Sequence, residues 1–297
     1  MLEFRDILIS DRDRVNSCLQ RSNFMGCEYS FSNNLAWTRL GRSKITFYKD
    51  FYIPCCFISG KPEFILPSGD TSYSGYKEVF AEMKRYSDSQ GVPLRVTGIT
   101  KENIPMINEI FPGRAVISYD RDGSDYIYRT SDLTDLPGKK YHAKRNHLAR
   151  FEETDCVFSL ITDNDTDECI LFTTKEYNER SEAGDYSFIA EQYAINAYFN
   201  YYHELGLTGG IIRRGGEIVA LTIGEKLNSD TFCVHIEKAD RSVNGIYAGI
   251  NNAFAKAAAS GCEYINREED LGIEGLRRSK LSYHPVFLLD KYTAVIE

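Results

Sequence analysis

His235 and Glu237 stand two apart at the end of a β-rich run, 231–237, so an uninterrupted strand would turn both to one face. A carboxylate or imidazole there can take a proton from an attacking amine or hydroxyl. The same two residues would serve equally well as a strand-end ion pair.

A second polar group follows a short β run at 263–267, where Asn266, Arg267, Glu268 and Asp270 lead through glycines to Lys280. Ligands of open α/β sheets gather beyond the carboxyl ends of strands. Asp270 or Glu268 there could hold an ammonium, and Arg267 or Lys280 a phosphate or carboxylate. A structural ion-pair network is the alternative.

Two further segments suit anions. Residues 139–150 carry Lys139, Lys140, Lys144, Arg145 and Arg150 with no acid among them, in a chain of net charge −8. On a helix Lys140 and Lys144 share a face, and Arg145 with Asn146 lies beside it. That face could hold phosphate, or simply be solvated. Residues 240–249 open a second helix, whose free N–H groups and partial positive charge also favour phosphate. Asn244 and Tyr247 are the candidate contacts there, and an ordinary Ser/Asn-capped helix is the alternative.

The elements that must position these residues recur twice. After 156–161, a strand, come helices at 167–180 and 188–205. Strands at 211–214 and 217–223 flank Gly215-Gly216, a hairpin signal because the tight turn needs positive φ. The strand 231–237, a helix at 244–260, a strand at 263–267, a helix at 275–280 and a strand at 286–289 complete the order. The first half repeats it: helices at 12–20 and 33–38, strands at 44–49, 51–57 and 63–66, a helix at 76–89, a strand at 94–97, a helix at 102–110 and a strand at 115–119. The expected class is α/β with mixed (α+β) sheets. The expected domains are 1–131, a basic connecting helix 132–154, and a catalytic copy 155–297. An α/β protein without duplication is the competing architecture.

Composition is consistent with this. The chain has 297 residues, 42% apolar and 26% charged, enough for two ordinary cores. No run approaches the roughly 20 apolar residues of a membrane span. The N-terminus lacks a basic flank and an apolar run, so a cytoplasmic protein is expected. The eight cysteines form no Cys-x-x-Cys pair and no histidine stands at metal-site spacing, so no metal is expected.

This element order resembles the GNAT acyltransferase fold, present as two tandem copies. Acetyl-CoA-using members carry Gln/Arg-x-x-Gly-x-Gly/Ala at the helix start. Here Arg241 places Asn244 and Ile246 where the glycines belong, which argues against acetyl-CoA. The segments 141–147 and 266–272, with Gly275-Leu276-Arg277 and 280–285, are similar to an uncharacterised bacterial family related to the C-terminal domain of phosphatidylglycerol lysyltransferases. The resemblance spans nearly the whole chain. It implies an aminoacyltransferase, moving an aminoacyl group from aminoacyl-tRNA to a lipid head group or a peptide amine, with no tightly bound cofactor. On that reading Lys144 and Arg145 meet phosphate of tRNA docked on helix 139–150, Asp270 an amine, and Glu237 acts as base or orienter. An acetyl-CoA-dependent N-acetyltransferase and a non-catalytic binding protein on the same scaffold are the alternatives.

Overall fold

The computed structural model describes residues 2–180 and 186–297. It forms two compact units. One holds the chain up to Asp125 together with Leu289–Glu297, and the other is Tyr126–Leu288.

In the first unit α1 (Arg12–Ser22), α2 (Phe31–Ala36) and α3 (Thr38–Gly41) precede an antiparallel meander of β1 (Lys44–Tyr48), β2 (Phe51–Ile58) and β3 (Lys61–Ile65). Helix α4 (Tyr73–Ser89) crosses to β4 (Leu94–Ile99), which lies parallel to β3. Ser72 caps α4 by accepting from the Gly75 N–H, and the helix buries Tyr76, Val79, Phe80 and Met83, the three- and four-residue spacing of one face. Helix α5 (Ile104–Ile110) and β5 (Ala115–Arg129) follow. Lys291 lies buried within this unit, its ammonium 2.7 Å from Asp125 and 2.8 Å from Glu28.

The second unit opens with the last residues of β5, then α6 (Thr130–Asp135) and α7 (His142–Glu152). Next come β6 (Val157–Leu160), α8 (Thr166–Arg180), α9 (Tyr186–Asn200) and α10 (Tyr202–Leu205). The sequence reading of one helix over 188–205 is thus broken at Tyr201. Strands β7 (Thr208–Arg214), β8 (Glu217–Lys226) and β9 (Thr231–Ala239) form the second meander. Gly215 and Gly216, at φ 59° and 93°, make the expected two-residue turn and pair Arg214 with Glu217. Helix α11 (Ile246–Ala258), β10 (Tyr264–Asn266), α12 (Glu274–Leu281) and β11 (Phe287–Ile296) close the chain.

The duplication therefore exists: each unit has a meander, a crossover helix and a parallel strand. The domain boundaries differ from those expected. β10 takes as its antiparallel neighbour not the strand that follows it but the end of β5 (Ile265 opposite Tyr128). β11 instead pairs antiparallel with β4, in the first unit. Each copy thus gives up its last strand, so unit boundaries fall at Asp125 and Leu289, not at 131 and 155. The segment 132–154 is no connector either. Phe151 of α7 packs with Ile212, Val243, Ile246 and Ile250 inside the second unit, each such burial contributing about 1.5–3 kcal/mol.

Candidate functional site

β10 and β9 run parallel only from Tyr264↔Thr231 to Asn266↔Cys233. Beyond that point β9 continues to Ala239, while the chain leaving β10 turns away, with Glu268 at φ 58°. The two strands part, and the wedge between them is lined by apolar Val234, Phe254 and Ile265 together with Glu237 and Asn251. The cavity there measures about 10 Å³, room for one water at most.

At the mouth of the wedge, Arg267 donates from Nη2 to Glu237 Oε1 at 2.9 Å. The other carboxylate oxygen, Oε2, meets the Asn251 amide at 3.4 Å. Arg267 Nη1 and Asn251 Oδ1 are buried without a hydrogen-bond partner among the described residues. Buried polar atoms are otherwise nearly always satisfied, because an unmade bond costs about 1–3 kcal/mol. Lys144 reaches in from α7, its ammonium 3.7 Å from the centre of the Tyr283 ring. Arg267 lies over the same ring at 5.1 Å and over Tyr128 at 5.9 Å. Burial, then the charge of Arg267, pushes the Lys144 pKa down to about 8, with Glu237 partly offsetting both. The result is two cations and one carboxylate gathered against tyrosines, with a donor and an acceptor left over. Such a set can hold an anionic or carbonyl oxygen and accept a proton.

His235 does not join it. A β-bulge between β8 and β9 pairs Ile223 with Ile236 and Gly224 with Val234, leaving His235 as the extra residue. A Cβ on Gly224 would lie 2.2 Å from the Cys233 carbonyl oxygen, so only glycine fits opposite the bulge. The two-residue alternation shifts there, and His235 and Glu237 face different neighbours, contrary to the sequence expectation. His235 stacks on Tyr198 with centroids 5.5 Å apart. Its Nδ1 meets Glu268 at 2.9 Å and its Nε2 meets Glu225 at 3.1 Å. Burial opposes charge on this imidazole, but Tyr198, Cys233 and the hydrogen bond to Glu225 raise its pKa well above the usual histidine value.

Asp270 is also placed differently from the expectation of an amine-holding carboxylate. Its side chain is fully buried. It receives Arg277 through Nε and Nη2 at 2.8 Å each, the Tyr126 hydroxyl at 2.5 Å and the Gly272 N–H at 2.9 Å. Those four donors occupy the lone pairs of a carboxylate, so Asp270 organises the loop and leaves nothing for a substrate. Lys280 is drawn in the same way, donating to the Arg267 carbonyl at 2.6 Å and to that of Glu269. Asn266 accepts from the Glu268 N–H at 2.7 Å. All three hold the backbone that aims Arg267.

The basic segment divides by facing. Lys144 turns inward. Arg145 donates to the Leu136 and Gly138 carbonyls at 2.5 and 2.7 Å, tying α7 to the preceding turn. Asn146 is exposed and meets His142 one helical turn back. Lys139, His147 and Arg150 face solvent.

At the start of α11, Asn244 is exposed and Tyr247 donates weakly to the Ala239 carbonyl at 3.5 Å. A Cβ on Gly245 would sit 2.1 Å from the His147 carbonyl oxygen, and one on Gly249 2.5 Å from the Phe151 ring. These glycines thus let α7 lie against α11.

Sequence reasoning missed Asn251, Tyr283 and Tyr128. Asn251 had a signal: with Asn252 it interrupts the apolar run of α11. Asn252 is explained by its amide, which donates to the Leu133 and Thr134 carbonyls at 2.7 Å.

Comparison with known proteins agrees with this architecture. The family model for the phosphatidylglycerol lysyltransferase C-terminal region matches residues 20–295. A conserved protein of unknown function from Bacteroides thetaiotaomicron is 37% identical, covers 100% of both chains and superposes with a TM-score of 0.91. The L-PGS of Bacillus licheniformis is 16% identical, covering 96% of this chain and 92% of that one, with a TM-score of 0.68. FemX is 8% identical over 99% of this chain and 97% of its own, with a TM-score of 0.66. An uncharacterised protein of Mycoplasmoides gallisepticum is 23% identical over 172 residues, 57% of this chain and 55% of that one. The chain thus spans about half the length of that relative. No helix among the described residues is long and apolar enough to cross a membrane. The fold is two tandem GNAT-like copies, and the chain belongs to the family of the phosphatidylglycerol lysyltransferase C-terminal domain.

Proposed function

We propose that this protein is an acyltransferase that moves an aminoacyl group from aminoacyl-tRNA to an amine or hydroxyl acceptor, a lipid head group or a peptide. The observation carrying this reading is the convergence of Lys144, Arg267 and Glu237 at the mouth of the wedge, with Arg267 Nη1 and Asn251 Oδ1 unpaired. The acceptor's nucleophile attacks the ester carbonyl of the charged tRNA. Negative charge developing on the carbonyl oxygen is met by Arg267 Nη1 and Lys144. Glu237 Oε2 takes the proton from the nucleophile and returns it to the departing ribose hydroxyl. The solvent-facing cations Lys139 and Arg150 supply an anchor for the tRNA backbone.

The packing at the start of α11 supports this donor over acetyl-CoA. A pyrophosphate would need close approach to the N–H groups there. The Gly245 face is covered by the His147 carbonyl, and the Ser242 and Val243 N–H groups bond to Asp240.

The test supplies tRNA charged with labelled amino acids, together with phosphatidylglycerol vesicles or amine-bearing peptides, and follows label into lipid or peptide. Transfer by the wild type is expected, with a loss of about 10²–10⁴ in the folded Glu237→Gln protein. Consumption of acetyl-CoA with no transfer from any charged tRNA would reverse the assignment. The narrowness of the cavity favours a second reading, a binding protein without turnover. Retained tRNA or lipid binding with no product from any pair would establish it.

A further inference from the structure

The bulge that removes His235 from the wedge puts it among groups that the transfer chemistry does not use. Cys233 and the bulged His235 both bring their side chains to Glu268. Glu268 is turned onto them by its left-handed backbone at φ 58°, a conformation that costs a non-glycine residue about 1–3 kcal/mol. Cys233 Sγ stands 3.9 Å from Glu268 Oε1, and His235 Nδ1 stands 2.9 Å from the same oxygen. One ligand atom from each of the three residues lies within 4.8 Å of the others. Cys233 and the His235 side chain are fully buried, and the Glu268 side chain is 17% exposed.

We propose that Cys233, His235 and Glu268 form a site for one zinc-class divalent ion, with Glu225 orienting the imidazole. Tetrahedral thiolate, imidazole and carboxylate donors, at about 2.0–2.3 Å from zinc, stand about 3.3–3.5 Å from one another. The 2.9 Å and 3.9 Å separations from Glu268 Oε1 lie about 0.5 Å to either side of that spacing. Zinc-ligating histidines commonly give their second ring N–H to a carboxylate, which fixes the tautomer. Glu225, 3.1 Å from Nε2, stands where that partner belongs. A thiolate with an imidazole selects zinc over magnesium or calcium. Tyr198, stacked on the imidazole, shields one side.

Binding needs the thiolate of Cys233 and a free Nδ1 lone pair on His235, so uptake of the ion releases whatever protons these atoms carry and is favoured as pH rises. The other candidate cluster among the described residues, Cys27, Glu28 and Asp125, already holds the Lys291 ammonium.

The inference stands apart from the transfer reaction, and its test uses no activity. The reduced full-length protein is titrated with cobalt(II) as a spectroscopic probe, and zinc is then counted by elemental analysis after dialysis. One ion per chain and a thiolate-to-cobalt absorption band are expected. The band should vanish in Cys233→Ala, with zinc affinity at least tenfold lower. It should persist in Glu225→Gln, with affinity about 10–100-fold lower. Absence of the band from the wild-type protein overturns the proposal whatever the variants do. So does a band that survives Cys233→Ala and disappears in Cys27→Ala.

Discussion

Arg267 gives Nη2 to Glu237 at 2.9 Å and keeps Nη1 buried with no protein acceptor among the described residues. A purely structural ion pair would be expected to turn both ends of the guanidinium toward partners, because a buried orphan donor is costly. On the proposed function, Nη1 is the donor left for the carbonyl oxygen of the acyl group.

Arg267→Lys separates these two duties. Lysine keeps the charge near Glu237 but loses the planar fork that carries Nη1. Transfer is expected to fall by about 10²–10³, in kcat with KM little changed, since the lost bond forms in the transition state. The melting midpoint should move by only a few degrees, the effect of about 1 kcal/mol. Wild-type kcat in this variant would remove Arg267 from the chemistry.

Lys144 offers a measurement independent of turnover. Its ammonium is penalised by burial and by Arg267 and favoured by Glu237, giving a pKa of about 8. Reductive ¹³C-methylation followed by NMR titration should show one lysine resonance moving near pH 8 and absent from Lys144→Arg. Glu237→Gln removes the favouring charge, so the resonance should titrate lower still. An upward move would mean that Glu237 does not act on this lysine.

The element order of both copies and the Gly215-Gly216 hairpin were legible in the sequence. The strand exchange was not. Asp120, Arg121 and Asp122 interrupt the β5 pattern after 119, and pairing partners between distant strands leave no local signal. The direction of His235 was lost because a bulge adds one residue to a two-residue period. Asp270 looked free because its partners Tyr126 and Arg277 lie 144 and 7 positions away. Carboxylates named from strand-end position alone carry no information on whether another side chain already fills them.

Gly245 tests the packing that covers the start of α11. Its φ of 72° is left-handed, and a Cβ would press on the His147 carbonyl at 2.1 Å and the Phe151 N–H at 3.0 Å. Gly245→Ala is expected to cost about 1–3 kcal/mol from the backbone conformation alone, with more if α7 cannot shift. Denaturant unfolding measures it. Because α7 carries Lys144, a displaced helix should also move the lysine resonance toward its ordinary pKa of 10.5. A variant as stable as wild type would show that the two helices do not depend on this close approach.

Asp270 contributes to the acid limb of stability. The Arg277 hydrogen bond leads the effects on its carboxyl, and with Tyr126 and the Gly272 N–H it outweighs burial and holds the pKa well below the carboxylate range. A group whose pKa is lower folded than unfolded contributes stability above its unfolded value, near 3.9, and loses it as pH falls through the folded value. Wild-type stability should therefore decline below about pH 4 with a share due to Asp270. Asp270→Asn keeps the shape and removes the charge. At pH 7 it should lose about 1.5–3 kcal/mol, the worth of hydrogen bonds to a charged group. Its deficit relative to wild type should then narrow steadily as the pH is lowered from 4 toward 2. Urea midpoints over that range decide the point. A constant deficit would mean that the Asp270 carboxyl titrates alike in the folded and unfolded chain, and that the Arg277 fork does not hold its charge.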